Sequence, residues 1–241
     1  MYVTILAIAS FIGGAIASVA GFGIGSIITP MLAFRYGAKL AVAAVSIPHA
    51  LGTLLRFWLI RRHVNRRVLL SFGVTSAAGG LAGALLHTAL ASPVLNAILG
   101  VLLVFAGVTG VTGMSQRMRF GGRVGWTAGG LSGLLGGLVG NQGGIRSAAL
   151  MSFDLPRDAF VATATAVALI IDAVRVPVYL AFQSHSIARI LPLIGIMTLG
   201  ALAGTASGKG ILSRIPESIF RRIVAATILA LGVALLSGAG R

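Results

Sequence analysis

Long apolar segments follow one another along almost the whole chain, separated by short polar or basic turns. A helix needs about 20 predominantly apolar residues to cross a bilayer. This pattern predicts membrane-spanning helices at residues 40–60, 68–87, 94–113, 159–182, 187–207 and 219–236. We therefore expect an all-α polytopic membrane protein.

Two further apolar segments, residues 2–19 and 124–139, run into glycine-rich stretches that interrupt the helical pattern. Glycine lets the backbone leave the helical track at low steric cost. Each stretch is followed by a short apolar arm, residues 26–34 in the first case and 145–153 in the second. Each unit therefore resembles a helical hairpin broken by glycine.

The two glycine-rich stretches align without a gap at an offset of 119 positions. Several residues then match in order, and they are Gly21 with Gly140, Gly25 with Gly144, Phe34 with Phe153 and Arg56 with Arg175. The series predicts two homologous repeats, residues 1–116 and 117–241, each a broken hairpin followed by three transmembrane helices.

The distribution of basic residues indicates how the repeats are oriented. Cytoplasmic loops of membrane proteins carry an excess of Lys and Arg. Of the 19 Lys and Arg residues, Arg56, Arg146 and Arg175 lie within apolar segments. Inverted repeats place 12 of the other 16 on the cytoplasmic side, whereas parallel repeats place 9 there. The charges favour inverted repeats, with parallel repeats as the alternative.

Composition excludes most other classes of protein. The chain is 57% hydrophobic and 10% charged, with a mean hydropathy of +1.00, so a water-facing surface is too costly. The net charge of +15 lies in short clusters between apolar segments, which favours a lipid bilayer over nucleic acid as the partner. There is no Cys, no Walker lysine and no usable pair of carboxylates, so we expect no enzyme activity, no cofactor and no metal site.

The run GFGIGSIITPML, its weaker repeat GNQGGIRSAALMSF and the spans that follow each resemble the TauE/SafE sulfite exporter family. The resemblance implies a secondary transporter that exports small sulfur-containing anions, such as sulfite or organosulfonates, across the inner membrane of a bacterial-type cell. An anion channel, a carrier of carboxylates and a non-transporting membrane subunit are the alternatives. A homo-oligomer is left open.

The candidate site lies at the two glycine-rich breaks, where we expect the repeats to meet and hold the anion. A charge at bilayer depth is expensive, so Arg146 is the leading candidate, and its planar guanidinium suits an oxyanion. The predicted substrate-binding residues are Gly21, Gly23, Gly25, Ser26, Arg56, Asn141, Gln142, Gly143, Gly144, Arg146, Ser147 and Arg175.

Asp172 and His49 are the candidates for proton coupling, because both can titrate within a span. Three of the charged candidates also have a simpler, structural alternative. Arg56 and Arg175 could be anchors that reach the membrane surface. Asp172 and Arg175 could form a structural pair at i,i+3 on one helix face.

Overall fold

The computed structural model describes residues 1–114, 124–141, 143–150, 153–212 and 216–238. In this part of the chain the regular structure is helical, which confirms the predicted fold class. We number the helices α1 Tyr2–Ala20, α2 Ile24–Ile60, α3 Arg66–Ala89, α4 Ser92–Val111, α5 Val124–Val139, α6 Gly143–Leu150, α7 Arg157–Arg189, α8 Leu191–Leu212 and α9 Glu217–Leu236. Within the described ranges, six helices are long and apolar enough to cross a membrane, and the protein is a multi-pass membrane protein.

Two helices change direction partway along. Helix α2 is kinked at Gly37, where φ is 75° and ψ is 155°, so a short arm precedes the full crossing. Helix α7 is kinked at Gln183 and ends at Arg189. The predicted span 187–207 was wrong at its start, because Pro192 lacks an N–H and favours the first turn of a new helix. The second arm also begins earlier than predicted, at Gly143.

Both broken hairpins fold back toward the side on which they begin. The hydroxyl of Tyr2 donates to the Met31 carbonyl at 3.4 Å, and the Arg35 guanidinium lies 4.8 Å from the centre of the Tyr2 ring. In the second hairpin, Phe72 packs beside Gly129 near the start of α5 and edge-on to Phe153 beyond α6. Each hairpin therefore enters and leaves on one side.

The hairpins pack on helices from the opposite half of the chain. Helix α1 lies along α8, and α5 lies along α3. A Cβ at Gly14 would collide with the backbone of Ala201, and one at Gly83 with the backbone of Leu134. Small residues of this kind let membrane helices approach closely. The glycines of α1, α3, α5 and α8 therefore hold the two halves together.

The last helices of the two halves, α4 and α9, also pack against each other, and they run antiparallel. Gly100 in the middle of α4 lies beside Leu236 at the end of α9, whereas Gly110 near the end of α4 lies beside Ala225 in the middle of α9. Antiparallel packing of equivalent helices is the direction that inverted repeats require. The repeat relation itself stays a prediction, and its boundary at residues 116 and 117 lies outside the described residues.

Candidate functional site

Each broken helix ends in the same way. Gly21 after α1 has φ 80°, and its N–H donates to the Ala17 carbonyl at 3.0 Å. Gly140 after α5 has φ 72°, and its N–H donates to the Gly136 carbonyl at 3.0 Å. Only glycine takes this left-handed conformation freely, and it is a common way to end a helix. The two glycine matches at an offset of 119 therefore correspond to two equivalent helix ends.

The structure brings the two breaks into direct contact, as the site hypothesis expected. The Ser26 hydroxyl donates to Oδ1 of Asn141 at 3.2 Å, across the two halves. Nη2 of Arg146 donates to the Gly21 carbonyl at 3.1 Å. Gly25 packs on the Gly140 carbonyl, which leaves no room there for a side chain. Residues from both predicted repeats therefore surround one point inside the helix bundle.

Arg56 and Arg175 cap the two broken helices at equivalent positions. Nη1 of Arg56 donates to the Ala17 carbonyl, and Nη1 of Arg175 donates to the Gly136 carbonyl at 2.7 Å. A cation is favourable at the C-terminus of a helix, where carbonyl groups lack partners. The side chains are 4% and 1% exposed, so the alternative that they are surface anchors was wrong.

The two arginines differ in their other partners. Nε of Arg175 donates to Oδ1 of Asp172 at 2.8 Å, and Nη2 lies 2.7 Å from the same oxygen. Nδ1 of His49 lies 2.7 Å from the other oxygen of Asp172. The i,i+3 pair that was one alternative for Asp172 is therefore present, and the two candidate proton carriers share a hydrogen bond.

Arg56 and Arg146 keep unpaired N–H groups. Nε of Arg56 and both Nε and Nη1 of Arg146 are buried and have no hydrogen-bond partner among the described residues. The two guanidinium groups are close enough to repel each other. An unpaired buried donor costs about 1–3 kcal/mol, and more when it is charged. These donors are therefore suited to an anion that enters from outside the protein.

The charge of this cluster supports the same conclusion. Arg56, Arg146 and Arg175 are each at most 4% exposed. The chain has four acidic residues, and Asp172 is the one that lies away from helix ends and loops. One carboxylate cannot balance three guanidinium groups, whatever the protonation of His49. Because buried charge without compensation is very costly, the cluster favours a negative ligand.

The remaining predicted residues occupy varied positions. Gly23 precedes α2 with φ 146° and packs on Ile16, and Gly143 at the start of α6 packs on Phe22. Ser147 is half-buried on α6. Gly144 lies in α6, and Gln142 lies outside the described residues.

Sequence reasoning missed two residues beside the second break. The Tyr179 hydroxyl donates to the Gly137 carbonyl, and Nδ1 of His87 lies 2.7 Å from the Leu138 carbonyl. Tyr179 lies four positions after Arg175 and so one helical turn away on the same face, which is a signal that could have found it. A lone histidine near a helix end carries no such signal.

Comparison with known proteins gives one match. The family model described as "Sulfite exporter TauE/SafE" matches residues 6–235, which is nearly the whole chain. The comparisons with curated proteins and with solved structures gave no match. The family is one of transporters and not of enzymes, in agreement with the helices long enough to span a membrane. The chain belongs to the TauE/SafE sulfite exporter family.

Proposed function

We propose that the protein exports small sulfur oxyanions, sulfite or organosulfonates, through the inner membrane of a bacterial-type cell, and that the two glycine breaks bind the anion. The observation that carries the proposal is the set of unpaired N–H groups on Arg56 and Arg146. Family membership supports sulfite-type export. The unpaired arginine N–H groups at the breaks support the proposed anion-binding site.

The chemistry of the substrate fits these donors. A sulfite or sulfonate group presents three oxygen atoms, and a guanidinium offers a planar fork of donors to oxyanions. Helices α2 and α6 both begin at the breaks. Their first N–H groups lack partners within the helix, and such helix ends favour anions. A bound anion would also reduce the repulsion between Arg56 and Arg146.

The membrane potential favours the proposed direction of transport. An inside-negative membrane potential favours the exit of an anion by about 2.3 kcal/mol per charge per 100 mV. Efflux therefore needs no further energy source. The His49–Asp172 pair is a place where a proton can bind, so proton coupling fits the proposal without being required by it.

The test is uptake and efflux of sulfite by the purified protein in proteoliposomes. Arg146→Ala removes about 1.5–3 kcal/mol of charged hydrogen bonding, so we expect roughly a ten- to hundredfold loss of affinity. Arg146→Lys should recover only part of the loss, because an ammonium is a point charge. Arg62→Ala, at an exposed arginine, is the matched control.

Unchanged affinity in a well-folded Arg146→Ala protein would contradict the proposed site. Comparison of sulfite, methanesulfonate and acetate tests the substrate class, since a preference for acetate identifies a carboxylate carrier instead. Flux that neither saturates nor shows counterflow identifies an anion channel.

A further inference from the structure

His87 bridges two parts of the protein that the chain itself keeps far apart. The side chain is fully buried in the last turn of α3. Its Nδ1 lies 2.7 Å from the Leu138 carbonyl oxygen, and its Nε2 lies 3.1 Å from the Lys39 carbonyl oxygen. Both partners are acceptors. Both ring nitrogens are therefore placed to donate.

A histidine in this position has a defined protonation requirement. Neutral imidazole carries one N–H, whereas the imidazolium carries two. Both contacts are therefore made together only when His87 is protonated. The hydrogen bonds to the Leu138 and Lys39 carbonyls favour that form, whereas burial and the neighbouring cations Lys39 and Arg175 oppose it. A cation near helix C-termini is stabilised by the helix dipoles.

The bridge joins the exit of the first hairpin to the second break. Lys39 follows the kink at Gly37, and Leu138 lies two residues before Gly140. The segment after the kink is also held by the end of α3 and the first turns of α4. The Ala38 N–H donates to Oδ1 of Asn96 at 3.0 Å, and Nζ of Lys39 donates to the Thr88 carbonyl at 2.6 Å. The contact of His87 with Leu138 connects this segment to α5 through a hydrogen bond.

The charged and titratable neighbours of His87 come from two elements. Lys39 lies on α2, and Tyr179 and Arg175 lie on α7, with the Tyr179 ring centre 4.8 Å from that of His87. The sequence of α5 contains no ionisable side chain. A change of protonation at His87 therefore acts directly on its hydrogen bonds to two backbone carbonyls, those of Leu138 and Lys39.

We propose that His87 is a positioning residue for transport, whose protonated ring holds the exit of the first hairpin against the second break and whose deprotonated ring releases one of them. Transporters of this kind work by movement of one bundle against another. The protonated bridge opposes that movement. The turnover rate of transport therefore rises as the pH increases and His87 loses its proton. The affinity for the anion stays nearly constant.

The first test needs no substrate, so it stands even if sulfite is not what the protein carries. Hydrogen exchange of the backbone amides at residues 38–42 is followed against pH in the purified protein, after correction for intrinsic exchange. We expect protection in the parent to fall as the pH rises. His87→Gln should show low protection at every pH. His185→Gln, at an exposed histidine, is the control and should behave as the parent.

The second test is the pH profile of turnover in proteoliposomes. His87→Gln should flatten the profile and leave KM within about twofold, whereas Tyr179→Phe should keep the pH dependence of the parent. Lys39→Met removes a cation that acts on His87 but is not among the charges acting on His49. It should move the transition to higher pH. A parental profile in His87→Gln, or a transition that Lys39→Met leaves in place, would overturn the proposal.

Discussion

The first and second breaks are built in the same way, but they differ in how the charge of the buried arginine is neutralised. In both, a buried arginine and a glycine N–H bind the same carbonyl, that of Ala17 or of Gly136. Three positions before the arginine, the second half has Asp172 where the first half has Thr53. Arg175 is therefore part of an ion pair, whereas Arg56 has no ion-pair partner among the residues that the structure describes. This difference at one position leads us to expect a mainly structural role for Arg175 and a ligand-binding role for Arg56.

The breaks also differ in how firmly they are held. The last turn of α5 receives donors from Arg175, Tyr179 and His87 on three successive carbonyls. The position equivalent to Tyr179 in the first half is Ile60, which has no donor. The Gly21 carbonyl is bound instead by Arg146, which also carries unpaired N–H groups. An anion that binds Arg146 therefore acts first on the first break.

The comparison depends on the two halves being inverted, and membrane topology gives the largest expected difference. Because the chain has no native Cys, single substitutions Asn65→Cys and Ser184→Cys can be labelled with an impermeant thiol reagent in intact cells. Inverted repeats place Ser184 outside and Asn65 inside, so we expect labelling at position 184 alone. Protection of both positions would favour parallel repeats and remove the equivalence of the breaks.

The second prediction separates the two arginines. Arg175→Met leaves Asp172 as a buried charge with only His49 beside it, and breaking a buried pair costs about 3–5 kcal/mol. We expect a large loss of folded protein, measured by size-exclusion chromatography and thermal unfolding. Arg56→Met leaves no carboxylate alone and should fold.

The same Arg56→Met protein should bind sulfite roughly tenfold more weakly, because it loses one charged hydrogen bond. Arg62→Met serves as the exposed control. Equal stability losses in Arg56→Met and Arg175→Met, with unchanged sulfite binding in the former, would mean that both arginines are structural.

The third prediction concerns a variant in which the first break receives a carboxylate beside its arginine, as the second break has. Thr53 is 1% exposed and lies at i,i+3 to Arg56, so Thr53→Asp supplies the carboxylate that Arg56 lacks. Neutralising Arg56 should weaken sulfite binding by about three- to tenfold, a smaller effect than its removal. The measurement is equilibrium binding, with Thr53→Asn as the control of equal size. Stronger binding in Thr53→Asp than in Thr53→Asn would contradict the role given to Arg56.

Much of the fold followed from local pattern. The apolar segments predicted the spans, and the glycines at positions 21 and 140 predicted both breaks, because helix formation and its interruption depend on neighbouring residues. The start of α8 was missed because three of the four residues 187–190 are apolar and resemble the beginning of a span, although Arg189 lies among them. Only backbone dihedral angles and Pro192 separate the two helices there.

The features of the candidate site also divide into those that the sequence determines and those that only the tertiary structure decides. Sequence alone predicted that Arg56 and Arg175 occupy matching positions and showed that Arg146 follows a glycine-rich stretch, since these are statements about order along the chain. Only the tertiary structure decided which N–H groups find partners, because Asp172, Gly136 and Gly21 reach those arginines through packing of distant helices. The order of residues along the chain also gives no indication that His87 contacts Leu138, which lies 51 residues away. A charge is local to its residue, whereas its compensation depends on what the fold places beside it.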